Sequence, residues 1–202
     1  MLQNRMSATT SESQIGLFRS DQSTRMFNRD KFKALIHYVC WLSRDKPVDL
    51  GAVKLNKILW FSEVIAFAKN GEPITGARFV KQKFGPVPRA IVPVLKELQS
   101  EGTLNVIEVE YYGRLKQQYV CQADPDPVML SDDERELVNE IASAITSDHT
   151  ATSISDLTHD AIWKLAEIGN DIPFHAVLAS SLGKLSDKEI AAARRRMEAA
   201  AA

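Results

Sequence analysis

The sequence predicts an α+β domain that is mainly α-helical, with helices packed around a small antiparallel β-hairpin. Three observations carry this. Apolar residues recur at helical spacing through most of the chain, one stretch near residue 110 alternates apolar and polar residues, and cap or stop residues sit where the helical runs begin and end. A chain of 202 residues is long enough to bury a real core as one domain, and 45% hydrophobic residues support that.

Residues 1–27 are rich in Ser, Thr and Gln and poor in large apolar residues, so they are expected to form a disordered N-terminal tail. From Asp30 to Ser43, Phe32, Leu35, Ile36, Val39 and Leu42 share one helical face, and Asn28 is placed to cap it. Lys46-Pro47 breaks that helix. Asp49 is the expected cap of a second one, which stops at Asn70-Gly71. Its apolar residues, from Leu55 to Phe67, cover more than one stripe and predict burial on several sides.

Arg78 to Phe84 reads as a short strand, with Gly85-Pro86 expected to end the pairing and lead into a third helix. Pro93 inside that helix predicts a kink or a late start. Leu104 to Cys121 then alternates, placing Ile107, Val109 and Tyr111 on one face and Glu108 and Glu110 on the other, with the bend at Gly113. Ser131 and Glu134 form a capping box for the next helix. Another helix is expected from about Ser153 to Gly169, and an alanine-rich helix closes the chain over residues 184–202.

Charge and cysteine usage narrow the function classes. Lys and Arg number 25 against 26 Asp and Glu, which is not the balance of a protein whose binding is dominated by phosphate neutralisation. Cys40 and Cys121 lack metal-ligand or CxxC spacing and read as buried thiols of a reducing compartment. Neither a signal-peptide core nor a run of about 18 apolar residues occurs, so a cytoplasmic protein without a membrane partner is expected.

A search for catalytic chemistry is negative. Gly71 and Gly76 have the outer spacing of a phosphate-binding loop, but Ala77-Arg78 replaces its Lys-Ser/Thr and no strand precedes it. Ser181-x-x-Lys184 lacks the companion motifs of a serine acyl-enzyme. His37, His149, His159 and His175 are scattered without ligand spacing. No enzyme, metal or cofactor is therefore expected. Between Ala77 and Lys96 every charged residue is basic: Arg78, Lys81, Lys83, Arg89 and Lys96. Such a run is a solvated face or an electropositive surface for an acidic protein or nucleic acid. Three helices followed by a hairpin also fit winged-helix connectivity, so a DNA-binding transcriptional regulator is the alternative reading.

Three short motifs occur in order: Lys54-Leu55-x-Lys57-Ile58-Leu59-Trp60-Phe61, then Phe84-Gly85-Pro86-Val87, then Thr158-His159 before Trp163. Together they resemble the Panacea domain, the antitoxin domain that includes SocA-type proteins, over roughly residues 32–176 within a domain set at 28–183. The resemblance implies a non-enzymatic antitoxin that binds and neutralises a cognate toxin protein, with the SocA-like branch also delivering the toxin to the ClpXP protease. The residues expected to meet a partner are Lys54, Lys57, Lys81, Lys83, Phe84, Gly85, Pro86, Val87, Arg89, His159 and Trp163. Lys54 and Lys57 lie three apart and are expected to leave a lysine face free for that partner or for capping carboxylates, opposite a buried face of Leu55, Ile58, Leu59 and Phe61. The Ala201-Ala202 end looks like tags that ClpXP recognises, although an alanine-rich helix end reads the same way.

Overall fold

The computed structural model describes residues 26–150, 152–153 and 167–172. Helices α1 (Arg29–Leu42), α2 (Ala52–Asn70), α3 (Ile91–Ser100) and α4 (Asp132–Asp148) pack with two antiparallel hairpins, β1 (Phe79–Gln82) with β2 (Gly85–Pro88) and β3 (Leu104–Tyr111) with β4 (Arg114–Cys121). The fold is α+β and mainly helical, as predicted. The expected N-terminal tail, the helix from Ser153 and the alanine-rich C-terminal helix lie outside the described residues, apart from a few positions at their edges.

Local chemistry sets most helix ends. The Asn28 side chain accepts from the Lys31 N–H at 3.0 Å and starts α1. Gly71, at φ 78°, closes α2 with its N–H on the Phe67 carbonyl. Ser131 and Glu134 complete the capping box of α4, whose first turn also carries Asp132 and Asp133 toward the positive end of the helix dipole. One expectation needs correcting. Asp49 belongs to a 3₁₀ turn, Pro47–Asp49, and Gly51 takes the cap position of α2, so the proline forms a turn of its own before the helix begins.

The Gly-Pro-Val-Pro stretch also differs from expectation. It does not end the pairing but is itself strand β2, joined to β1 through the tight turn at Lys83-Phe84 with Gln82 opposite Gly85 and Phe79 opposite Pro88. Antiparallel bonding alternates along a strand. Arg89 N–H donates to the Arg78 carbonyl, so Pro86 and Pro88 fall at positions whose nitrogen faces away from β1, where no ladder donor is lost. The other edge of β1 is covered by residues 169–172, through Lys81 N–H to Asn170 O, Gly169 N–H to Lys81 O and Ile172 N–H to Phe79 O. Pro93 is only the third residue of α3, so its missing N–H costs no helical bond and the helix starts late.

The core gathers Phe32, Leu35, Ile36 and Val39 of α1, Leu55, Ile58 and Leu59 of α2, Val94 and Leu98 of α3, and Val138, Ile141 and Ile145 of α4. Helix α2 is buried on nearly every side, as its broad apolar surface predicted. Among the described residues, hairpin β3–β4 reaches this core at its base, through Leu104, Val106, Tyr119 and Cys121. Ile107, Val109 and Tyr111 do share a face, but it is the outward one, with Ile107 and Tyr111 exposed. Connectivity departs from a winged helix because hairpin β1–β2 intervenes between the second and third helices.

Candidate protein-interaction surface

The lysine face expected on α2 is not free. Lys57 is 1% exposed and donates its Nζ to the Phe84 carbonyl at 2.5 Å, reaching from the helix to the β1–β2 turn. Burial lowers its pKa to about 7. Lys57 lies on a buried side of the helix, so its long side chain is used internally to hold the turn. Lys54 is half-buried and donates to Thr146 O at 3.1 Å, where the last turn of α4 presents unpaired carbonyls. Its pKa is lowered, chiefly by burial.

The turn so held carries the second motif outward. Phe84 is 56% exposed, Gly85 adopts φ 112°, which disfavours any side chain, and Pro86 is buried beneath. Lys83 stands with its Nζ 5.4 Å from the centre of the Phe84 ring. Between this turn and the first turns of α2 lies a groove of about 210 Å³ whose walls include Val53, Asn56, Lys83, Phe84, Pro86 and Val87. Asn56 lines this groove, and its buried Oδ1 has no hydrogen-bond partner among the described residues.

The basic run is not one open face. Arg78 and Arg89 both pair with Asp171, the latter through Nε at 2.7 Å, and Arg89 also donates to Gly169 O at 3.2 Å. Although burial opposes it, these two guanidinium groups hold the Asp171 carboxyl below its usual range. Lys81 is half-buried, while Lys83 and Lys96 are exposed. The structure thus brings Lys83, Phe84, Gly85, Pro86 and Val87 together beside α2, with Lys57 beneath them. His159 and Trp163 lie outside the described residues.

Sequence reasoning missed two features. Glu63 is fully buried in α2 and accepts from Thr75 N–H at 3.0 and 3.1 Å and from the Thr75 hydroxyl, with further bonds from the backbone of Ile74 and Gly76. Burial pushes its pKa up to about 7 against those bonds, which favour the charged form. It was visible as the lone acid of an otherwise apolar and basic helix. The other is the tip of β3–β4, where Tyr111, Tyr112 and Leu115 are all exposed and Tyr112, 90% exposed, is among the described residues the non-glycine one with positive φ, at 49°. A Tyr-Gly pair stands where two-residue hairpin turns favour Asn-Gly.

Among the described residues, no helix is long and apolar enough to cross a membrane, and no three or more His, Cys, Asp or Glu side chains are grouped to hold a metal. Cys40 and Cys121 are both free thiols. Comparisons with curated proteins and with solved structures gave no match. The family model described as antitoxin SocA-like, Panacea domain, matches residues 55–164, which contain most of α2, both hairpins, α3 and α4. Since that match covers more than half of the chain, the protein belongs to the SocA-like Panacea-domain antitoxin family.

Proposed function

We propose that this protein is a non-catalytic antitoxin that binds a cognate toxin protein and neutralises it by direct contact. Family membership is the observation that carries the reading. Two surface features that the fold does not use support it: the groove beside the Phe84 turn and the aromatic tip of β3–β4. An interface of ordinary size, about 800 Å² on each partner, suffices for stable inhibition without chemistry. Delivery of the captured toxin to ClpXP in the cytoplasm is the finer form of the proposal. DNA binding is less favoured, because Asp171 pairs with both Arg78 and Arg89 and offsets part of their charge.

Co-expression with the product of the neighbouring gene, in cells with and without ClpXP, tests this. Rescue of growth with the toxin still abundant is the outcome of masking, and ClpXP-dependent rescue with loss of toxin is that of delivery. A neighbour that is not toxic, or toxicity that persists in both strains, overturns the antitoxin reading. DNA affinity falling steeply with salt would then favour a regulator.

A further inference from the structure

We infer that the groove between the start of α2 and the β1–β2 turn receives an extended segment of the partner protein, which places one aliphatic side chain against Val53, Phe84 and Val87, one peptide group on the Asn56 amide and one carboxylate near Lys83. This deepens the antitoxin reading and rests on it for the partner's identity. Buried polar groups are almost always paired, and one that is not leaves a full desolvation cost standing. Asn56 Oδ1 is such an atom, and the residue lines the groove. A carboxamide offers one acceptor and two donors, the complement of a peptide N–H and C=O, and its terminal torsion is broad enough to turn the oxygen toward an incoming donor.

The rest of the groove restricts what enters. Its walls are chiefly apolar, and about 210 Å³ admits an aliphatic side chain with the adjoining backbone but no folded element. Among the described residues its charged wall residue is Lys83 and none of the lining is a carboxylate, so an acidic neighbour is favoured over a basic one. Pro86 and Pro88 turn their nitrogens away from β1, which removes strand addition as the means of capture and leaves a side-chain amide to take the backbone. The cavity is also pre-formed: Lys57 Nζ fixes the Phe84 carbonyl, and Gly85 fixes the bend. Little ordering cost remains for binding to meet.

The test pans a phage-displayed library of linear twelve-residue peptides against the full chain and measures synthetic versions of the enriched peptides against variants. The expected consensus is an aliphatic residue next to Asp or Glu. Asn56→Leu and Phe84→Ala should each weaken binding by about tenfold, the scale of one lost buried hydrogen bond or apolar contact. Asn56→Leu should do so with an unchanged or raised Tm, because it deletes an unpartnered polar atom. Lys83→Glu should select against the acidic peptides, and Val128→Ala, at an exposed residue outside the groove lining, should leave them unaffected. Failure to enrich any peptide, or enriched peptides that bind Asn56→Leu and Phe84→Ala within twofold of the wild type, overturns the inference. Failure of the antitoxin reading shows up separately, as wild-type protein that does not rescue growth, and leaves the peptide measurement intact.

Discussion

Lys57 and Glu63 lie two turns apart on one buried helix, and each is used to hold a loop: Lys57 the Phe84 turn, Glu63 the turn around Thr75. Burying an ionisable group costs free energy that hydrogen bonds only partly offset. The cost is readable as pH dependence. Glu63 has a folded pKa near 7, above its ordinary value of 4.5, so the native state binds the extra proton and stability from this group falls as pH rises from 4.5 through 7. Lys57 is the reverse: its folded pKa near 7 lies below 10.5, so its share of stability is regained as pH rises from 7 toward 10.5. The two together place a minimum near neutrality. Urea unfolding across pH should show it, and Glu63→Gln should flatten the acidic limb by about 3 kcal/mol, at roughly 1.4 kcal/mol per pH unit. An identical acidic slope in the variant would mean that Glu63 is ionised in the native state throughout.

Both hairpins depend on backbone conformations that the residues at their turns tolerate unequally. Gly85, at φ 112°, has a conformation closed to side chains, so Gly85→Ala should cost about 1–3 kcal/mol in chemical unfolding and loosen the groove wall. Tyr112 is the opposite case: a bulky residue held at φ 49° and almost fully exposed, packing edge-on against Tyr111 with ring centres 4.6 Å apart. Left-handed backbone costs an ordinary residue about 1–2 kcal/mol, which Asn largely avoids. Tyr112→Asn should therefore raise stability by about 1 kcal/mol while weakening the toxin complex. Gain in Tm with undiminished neutralisation would remove the hairpin tip from the interface. The helix caps at Asn28, Gly71 and Ser131 were legible because they depend on near neighbours in the chain. The strand identity of Gly-Pro-Val-Pro was not, because it depends on which side of β1 those prolines take.

Across the whole molecule, α4 is what joins the parts. Lys31 pairs with Glu134 at 2.6 Å, Tyr38 donates to Asn139 at 2.8 Å and Lys54 reaches Thr146 O, so one helix ties α1 and α2 together from its first turn to its last. Ile145, 3% exposed, lies in the shared core. Ile145→Ala should cost about 2–5 kcal/mol and lower the midpoint of a single urea transition. A separate early transition would instead make α4 an independently melting element. Helix α3 is held by its buried Ile91, Val94, Leu95 and Leu98, while its ion pairs from Glu97 to Arg29 and Lys33 lie nearer the surface, where salt screens them and each contributes little.

Amphipathic periodicity, caps and the alternating hairpin were enough to establish the helical α+β class, the extent of α1, the end of α2, the start of α4 and hairpin β3–β4, since each rests on interactions within a few residues. The three ordered motifs were enough to indicate the family. Folding settled which polar residues of those motifs face outward. Lys57 is a charged residue in a buried position, Arg78 and Arg89 share Asp171 more than 80 residues away, and Asn56 comes to line a groove with the Phe84 turn. Those assignments depend on contacts between segments distant in the chain, and a local pattern of side chains carries no record of what will pack against it.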